Sequence, residues 1–402
     1  MVKALFFENN LMKILAVKVA SKIFNNAPFS FFSHVYYTDI TEPPIPNSRW
    51  LKVKNICCGL CATDIHFIYM DMDPKCFPAA IPGINRKYLG HELIGKVVEI
   101  GKDVDGFAIN DRVAMRIDWP SCHQLEIEPH CRSCKNGNYM LCENLGTKTL
   151  PIVDSGGGFS TFTVMHRTQA YKIPEIIDIN RAVLIEPLSC AVRNVMKRIP
   201  KREEKTLIIG AGTIGLLTLL VVKAISPEAI VCCLVKYPFQ ADVARELGAD
   251  EIIFEKPDIY LKMASFTSGR YLKGYLGNEI LLGGFDIIYD TVGNDYTIQN
   301  ALRWARSQGT VVLSGINFNP GKIDYSPIWN QEIIVTGINS HGAESNMNSS
   351  FDIAVKILSE SKYPIENIIT HRFSMKSFRN AVKTFKNKKD SQAIKIVLDH
   401  NS

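Results

Sequence analysis

Apolar residues fall into two regimes along the chain. Up to about Glu186 they come in short, often alternating runs. MVKALFF predicts an opening strand over 1–7, and WLKVKNICCG a second over 50–59. LIGKVVEIGKDV over 93–104 is alternating and β-branched and ends in a Gly-Lys-Asp turn, and NDRVAM over 110–115 predicts another short strand. Pro43, Pro44 and Pro46 mark a turn, and 70–87 is rich enough in Pro and Gly for a surface loop. Residues 11–42 look less regular, broken by Asn25, Asn26 and Pro28, and suggest no function. Many short strands with Gly and Pro turns predict a barrel-like β domain.

Past Glu186 the period changes. TLIIGAGTIG is an apolar strand running into a Gly-rich turn, and 216–225 is an apolar helix. AIVCCLV, a helix over 239–247, EIIF, FDIIYDTVG, a helix from about Asp295 to Arg306 and GTVVLSG continue the alternation. Strand and helix at this spacing predict a parallel doubly wound sheet. After about Ser340 come two helical stretches and a last strand, AIKIVLDH, expected to rejoin the first domain. The expected boundaries are 1–187, 188–340 and 341–402.

At 402 residues, 46% hydrophobic and 21% charged, the composition is that of a globular chain with two domains. The net charge of +6 is spread along the chain, so no nucleic-acid partner is expected. The most apolar segment, 216–225, is interrupted by Lys223 and falls well short of the ~18 residues of a membrane span. Lys3, Lys13, Lys18 and Lys22 break the N-terminal apolar patches, and no small-residue cleavage site follows. Neither a signal peptide nor a membrane partner is expected. The 11 cysteines are odd in number, with adjacent pairs at Cys57–Cys58 and Cys232–Cys233. A reducing, cytoplasmic setting with metal-bound thiolates explains them better than a disulfide framework.

Chemistry concentrates in GLCATDIH, which carries Cys61, Thr63, Asp64 and His66, and in LGHELIG, which carries His91 and Glu92. A thiolate, an imidazole and a carboxylate form a ligand set for catalytic Zn²⁺ with one position open. Downstream, Gly210, Gly212 and Gly215 make G-x-G-x-x-G between a strand and a helix, so that Thr213 and Ile214 open the helix. That context allows a pyrophosphate to sit at the positive helix end. The acid expected about 20 residues on is missing: Val235 stands there, followed by Lys236. Without a carboxylate to repel a 2′-phosphate, and with Lys236 to attract it, NADP is expected over NAD. Cys131, Cys134 and Cys142 follow C-x2-C-x7-C, most of a structural zinc site.

GLCATDIH, LGHE, the cysteine lobe, IEPLSCAV and GAGTIG, in this order, resemble the medium-chain, zinc-dependent alcohol and polyol dehydrogenases. The resemblance spans the chain except for roughly 11–42. It implies a GroES-like β-barrel catalytic domain with a Rossmann nucleotide-binding domain, and homodimers or homotetramers. By motif, Cys61 and His91 resemble the catalytic-zinc ligands, and Glu92 a neighbouring carboxylate that ligates or steps back. Glu186 resembles the acid of polyol and sugar members. Asp64 resembles the carboxylate that orients the histidine. Thr63 and His66 resemble the proton relay. Ala62 departs from the more usual Gly. The pattern's fourth structural ligand falls at Glu128, with Cys122 its rival if 121–130 loops back, and His130 and His123 behind them. The implied activity is hydride transfer between a small-molecule secondary alcohol, polyol or sugar and NADP or NAD, with a threonine-type amino alcohol second. A non-catalytic nucleotide binder and a zinc-free quinone reductase are the contrasting classes.

Overall fold

The computed structural model describes residues 1–402 except 22, 25, 82–85, 117–118, 345–347 and 401–402. Lys22, Asn25, Pro82 and Gly83, used in the sequence reading, lie outside the described residues. The chain forms two compact units, Met1–Glu186 with Ile369–Ser402, and Pro187–Ile368.

In the first unit a seven-stranded sheet runs Ile369–Ser374, Lys395–Asp399, Trp50–Leu60, Glu92–Ile100, Arg112–Met115, Ala170–Lys172, with Phe162–His166 also on Trp50–Leu60. Trp50–Leu60 is its spine. Leu51, Val53 and Cys58 are fully buried, which a strand with neighbours on both edges requires. The antiparallel register sets Gly59 opposite Glu92 and Leu60 opposite Ile396. One strand end therefore gathers Glu92, Lys395 and the chain entering Cys61.

A smaller sheet places Val2–Glu8 between Val35–Ile40 and Arg86–Tyr88. The segment expected to be irregular thus holds a strand, and also a helix, Leu11–Ala20, capped by the Asn10 side chain on Lys13 N–H at 3.2 Å. Only Ile14 and Val17 of that helix are buried, so its apolar residues form no single core-facing stripe.

The second unit is an all-parallel sheet ordered Glu251–Phe254, Ile230–Val235, Lys205–Ile209, Phe285–Asp290, Ala305–Leu313, Ile334–Gly337. That is the doubly wound order, whose switch point lies beside the first strand. The hairpin Arg270–Lys273/Glu279–Leu282 and the edge strand Ile334–Gly337 were not foreseen. Lys223, the break in the apolar helix, is buried but satisfied by Ala229 O at 2.9 Å and Asp250 Oδ2 at 2.7 Å.

The return to the first unit begins at Ile369 rather than 341. Polar ties hold the intervening piece to the second unit. Arg193 donates to Ala343 O at 2.7 Å and pairs with Glu344 at 3.2 Å, and Asn367 donates to Glu246 at 2.7 Å. Among the described residues no helix is long and apolar enough to cross a membrane.

Candidate metal centres and nucleotide turn

Cys61 is the N-cap of helix Ala62–Tyr69, and Asp64, three residues on, closes a capping box. Asp64 Oδ2 accepts the Cys61 N–H at 3.0 Å and Oδ1 accepts the Gly90 N–H at 3.0 Å. One carboxylate therefore ties together the two loops that carry Cys61 and His91. Its Oδ1 also stands 3.9 Å from His91 Nδ1. Burial pushes the Asp64 pKa up, while His91 and the two backbone N–H groups oppose that shift.

The thiol of Cys61, the imidazole of His91 and the carboxylate of Glu92 bring one donor atom each within 4.8 Å of one another. Glu92 is also in a buried ion pair with Lys395, whose ammonium donates to Leu60 O at 3.3 Å. Burial works against the Lys395 charge, yet Glu92, Cys61 and Glu186 hold its pKa above the ordinary lysine value. Gly59 makes room for this pair, since a Cβ there would lie 1.9 Å from Glu92 Oε2 and 2.7 Å from Lys395 Cε. Glu186, in the first turn of Ile185–Lys197, is buried but is not among the three clustered donors.

Thr63 Oγ1 lies 3.6 Å from Cys61 Sγ. His66 Nδ1 is 2.6 Å from Asp71 Oδ1. Asp71 was not singled out from the sequence: it follows the helix end at Tyr69, and Met70 in the left-handed region turns the chain back. Asp64 and His91 also line a cavity of about 510 Å³. Its walls include Trp119, Gln124, Thr147, Thr149 and Gln169.

The second cluster is Cys122, Cys131, Cys134 and Cys142, with all four sulfurs within 4.8 Å. The fourth member is Cys122 and not Glu128. Ile127 N–H returns to Cys122 O at 3.0 Å, and the Cys131 and Asn144 N–H groups point at Cys122 Sγ, both at 3.3 Å. Glu128 is 75% exposed at its side chain and pairs with His130 at 2.9 Å. His123 packs edge-on against His130 and Tyr139. The Cys122–Cys142 sulfurs are 3.7 Å apart. Sulfurs at the corners of a tetrahedron with Zn–S near ~2.3 Å are ~3.8 Å apart, so the donor set fits zinc. Burial raises the Cys131 pKa, but the N–H groups of Cys134 and Glu143 outweigh it and bring it to about 7.

In the second unit Gly210 has φ +92°, and a Cβ there would meet Val292 at 2.5 Å. A Cβ on Gly215 would sit 1.8 Å from Gly210 O, so the helix can approach the strand only with glycine there. At Gly212 a Cβ would meet nothing within 4 Å, and no side chain caps helix Thr213–Ile225. The start of this helix, with Thr213 and Ile214 in its first turn, thus presents backbone donors beside open space, which suits a pyrophosphate. Val235 ends the second strand, and Lys236 follows it, exposed, with its ammonium 5.7 Å from the Tyr237 ring.

These features agree with what the chain resembles among known proteins. Residues 47–175 match the alcohol dehydrogenase GroES-like domain, and residues 213–360 match the zinc-binding dehydrogenase domain. A sorbitol dehydrogenase of Arabidopsis thaliana is 27% identical over 87% of this chain and 88% of its own. An L-threonine 3-dehydrogenase of a Marinomonas species is 27% identical over 91% and 96%. A solved zinc-binding dehydrogenase from Sinorhizobium meliloti, bound to NADP, is 25% identical with a TM-score of 0.69, over 91% of this chain and 95% of its own. The chain belongs to the medium-chain, zinc-dependent alcohol and polyol dehydrogenase family. It is a zinc-binding oxidoreductase of CH–OH groups.

Proposed function

We propose that the chain oxidises a secondary alcohol of a polyol or sugar, and reduces the matching ketone, with NADP preferred over NAD. Cys61 and His91, with Glu92 beside them, are assigned to the catalytic zinc, and the four thiols of Cys122, Cys131, Cys134 and Cys142 to a structural one. When bound, the metal polarises the substrate oxygen and the dinucleotide carries the hydride. Thr63 takes the alcohol proton and His66 passes it to solvent, held in orientation by Asp71. Asp64 holds the Cys61 and Gly90–His91 loops in place. Glu186 lies close enough to Lys395 to add to the acidic side of this centre.

The observation that carries the substrate reading is the cavity beside His91, where Gln124, Thr147, Thr149 and Gln169 offer hydrogen bonds to a chain of hydroxyls. Sorbitol is the substrate in one relative's name, and threonine in another's. NADP preference rests on Lys236 and on the absence of an acid between Ala229 and Ala241. The free cysteines favour a cytoplasmic setting. The outer strand Ile334–Gly337 leaves Ile334 and Val335 exposed at the sheet edge, which favours pairing with a second copy.

A panel of polyols, sugars and amino alcohols, each assayed with NADP and NAD, tests the reading. The highest kcat/KM is expected for a polyol or sugar with NADP. A threonine-type amino alcohol at the top would replace the substrate class, and a clear NAD preference would remove the role of Lys236.

A further inference from the structure

Helix Leu11–Ala20 turns an apolar face to water. Leu11 is 68% exposed, Met12 77%, Leu15 49% and Val19 64%, and Ala16 is exposed with them. At ~100° per residue these five span an arc of about 140°. Lys18 lies ~20° beyond one edge of the arc and Lys13 ~60° beyond the other. The chain that follows adds Ile23, Phe24 and Phe31, all largely exposed. Single exposed apolar side chains are ordinary, whereas a contiguous set rimmed by cations marks an interaction site.

The buried face and the two flanks fix the helix. Ile14 and Val17 are buried, Lys18 Nζ donates to Met72 O at 2.9 Å and Lys13 Nζ is bonded to the Tyr36 hydroxyl. The apolar arc is therefore held outward. Charge selects its partner. Between Asn9 and Thr38 there is no acidic residue, against Lys13, Lys18 and Lys22. A second copy on this face would bring lysines against lysines. A surface of anionic phospholipid headgroups offers phosphates to the rim and an acyl boundary to the arc.

We propose that this helix docks the protein on anionic membrane surfaces, lying in the plane of the interface. The shortness of every apolar run argues against a span and leaves an interfacial helix untouched, because such a helix buries only one face.

The test is co-sedimentation of the full-length protein with vesicles of neutral phosphatidylcholine alone or with phosphatidylserine added. Binding is expected to the mixed vesicles only, and to weaken steeply toward 1 M salt, where screening shortens to about 3 Å. The triple variant Leu11→Ser, Leu15→Ser, Val19→Ser should bind at least about tenfold more weakly. It should keep wild-type dehydrogenase activity, since none of the three is in the core or the catalytic centre. Lys13→Gln and Lys18→Gln should each cost about fivefold. Three results overturn the proposal: no binding to mixed vesicles, equal binding to neutral ones, or a triple variant that binds as well as wild type. A triple variant that instead halves the molecular mass in solution, without vesicle binding by the wild type, would assign the face to a second copy.

Discussion

Replacing Lys395 by Met isolates the buried pair behind the catalytic centre. The Lys395 side chain is 2% exposed and that of Glu92 3%, so neither charge can turn to water when its partner is lost. Removing one member of such a pair costs about 3–5 kcal/mol, most of it the isolated carboxylate. At about 2–4 °C per kcal/mol for a unit of this size, the melting temperature should fall by roughly 6–20 °C. The assay is thermal unfolding of wild type and variant side by side after chelation, where no zinc offsets the Glu92 charge, with zinc per chain measured alongside so that loss of the pair is separable from loss of metal. Adding Glu92→Gln replaces the stranded charge by an amide, and the double variant should regain at least half of the loss. A single variant within about 1 kcal/mol of wild type, or a double variant no better than the single, would refute the role given to this pair.

That pair is not legible in the sequence. Lys395 sits in the final strand and Glu92 in the first half of the chain. Only the antiparallel register of Trp50–Leu60 with both neighbours brings them together. Cys61, His91 and the Gly210 turn were legible because each lies in a short motif whose local geometry follows from sequence. Cys122 was a rival to Glu128, since its place depends on how 121–130 folds back, a tertiary matter. Helix Leu11–Ala20 was missed because its apolar positions point mostly outward, so the core-facing periodicity is weak. The boundary at 341 was set early because the Arg193 ties to Ala343 and Glu344 join residues 150 apart or more.

Cys134→Ser and Cys122→Ser should each lower zinc from two per chain toward one, while Glu128→Gln leaves the count unchanged; metal analysis decides. Gly215→Ala, which sets a Cβ 1.8 Å from Gly210 O, should weaken dinucleotide binding by at least about tenfold in fluorescence titration. It should leave zinc content intact, and unchanged dinucleotide affinity would count against the turn. Acid stability follows from buried histidines. Burial brings His166 and His123 down to about 4 from an ordinary 6.5, and His166 Nδ1 already accepts the Thr168 N–H at 3.3 Å. The folded chain refuses protons that the unfolded chain takes up, so stability is full above about pH 6.5 and declines as pH falls toward 4. His166→Asn should flatten that decline by up to about one proton, seen in urea unfolding between those pH values.

Metal dependence is the most direct measure of the catalytic centre. Chelation that strips zinc from Cys61, His91 and Glu92 should abolish alcohol oxidation, and stoichiometric Zn²⁺ should restore it while dinucleotide binding persists throughout. Full turnover by the metal-free protein would contradict the account.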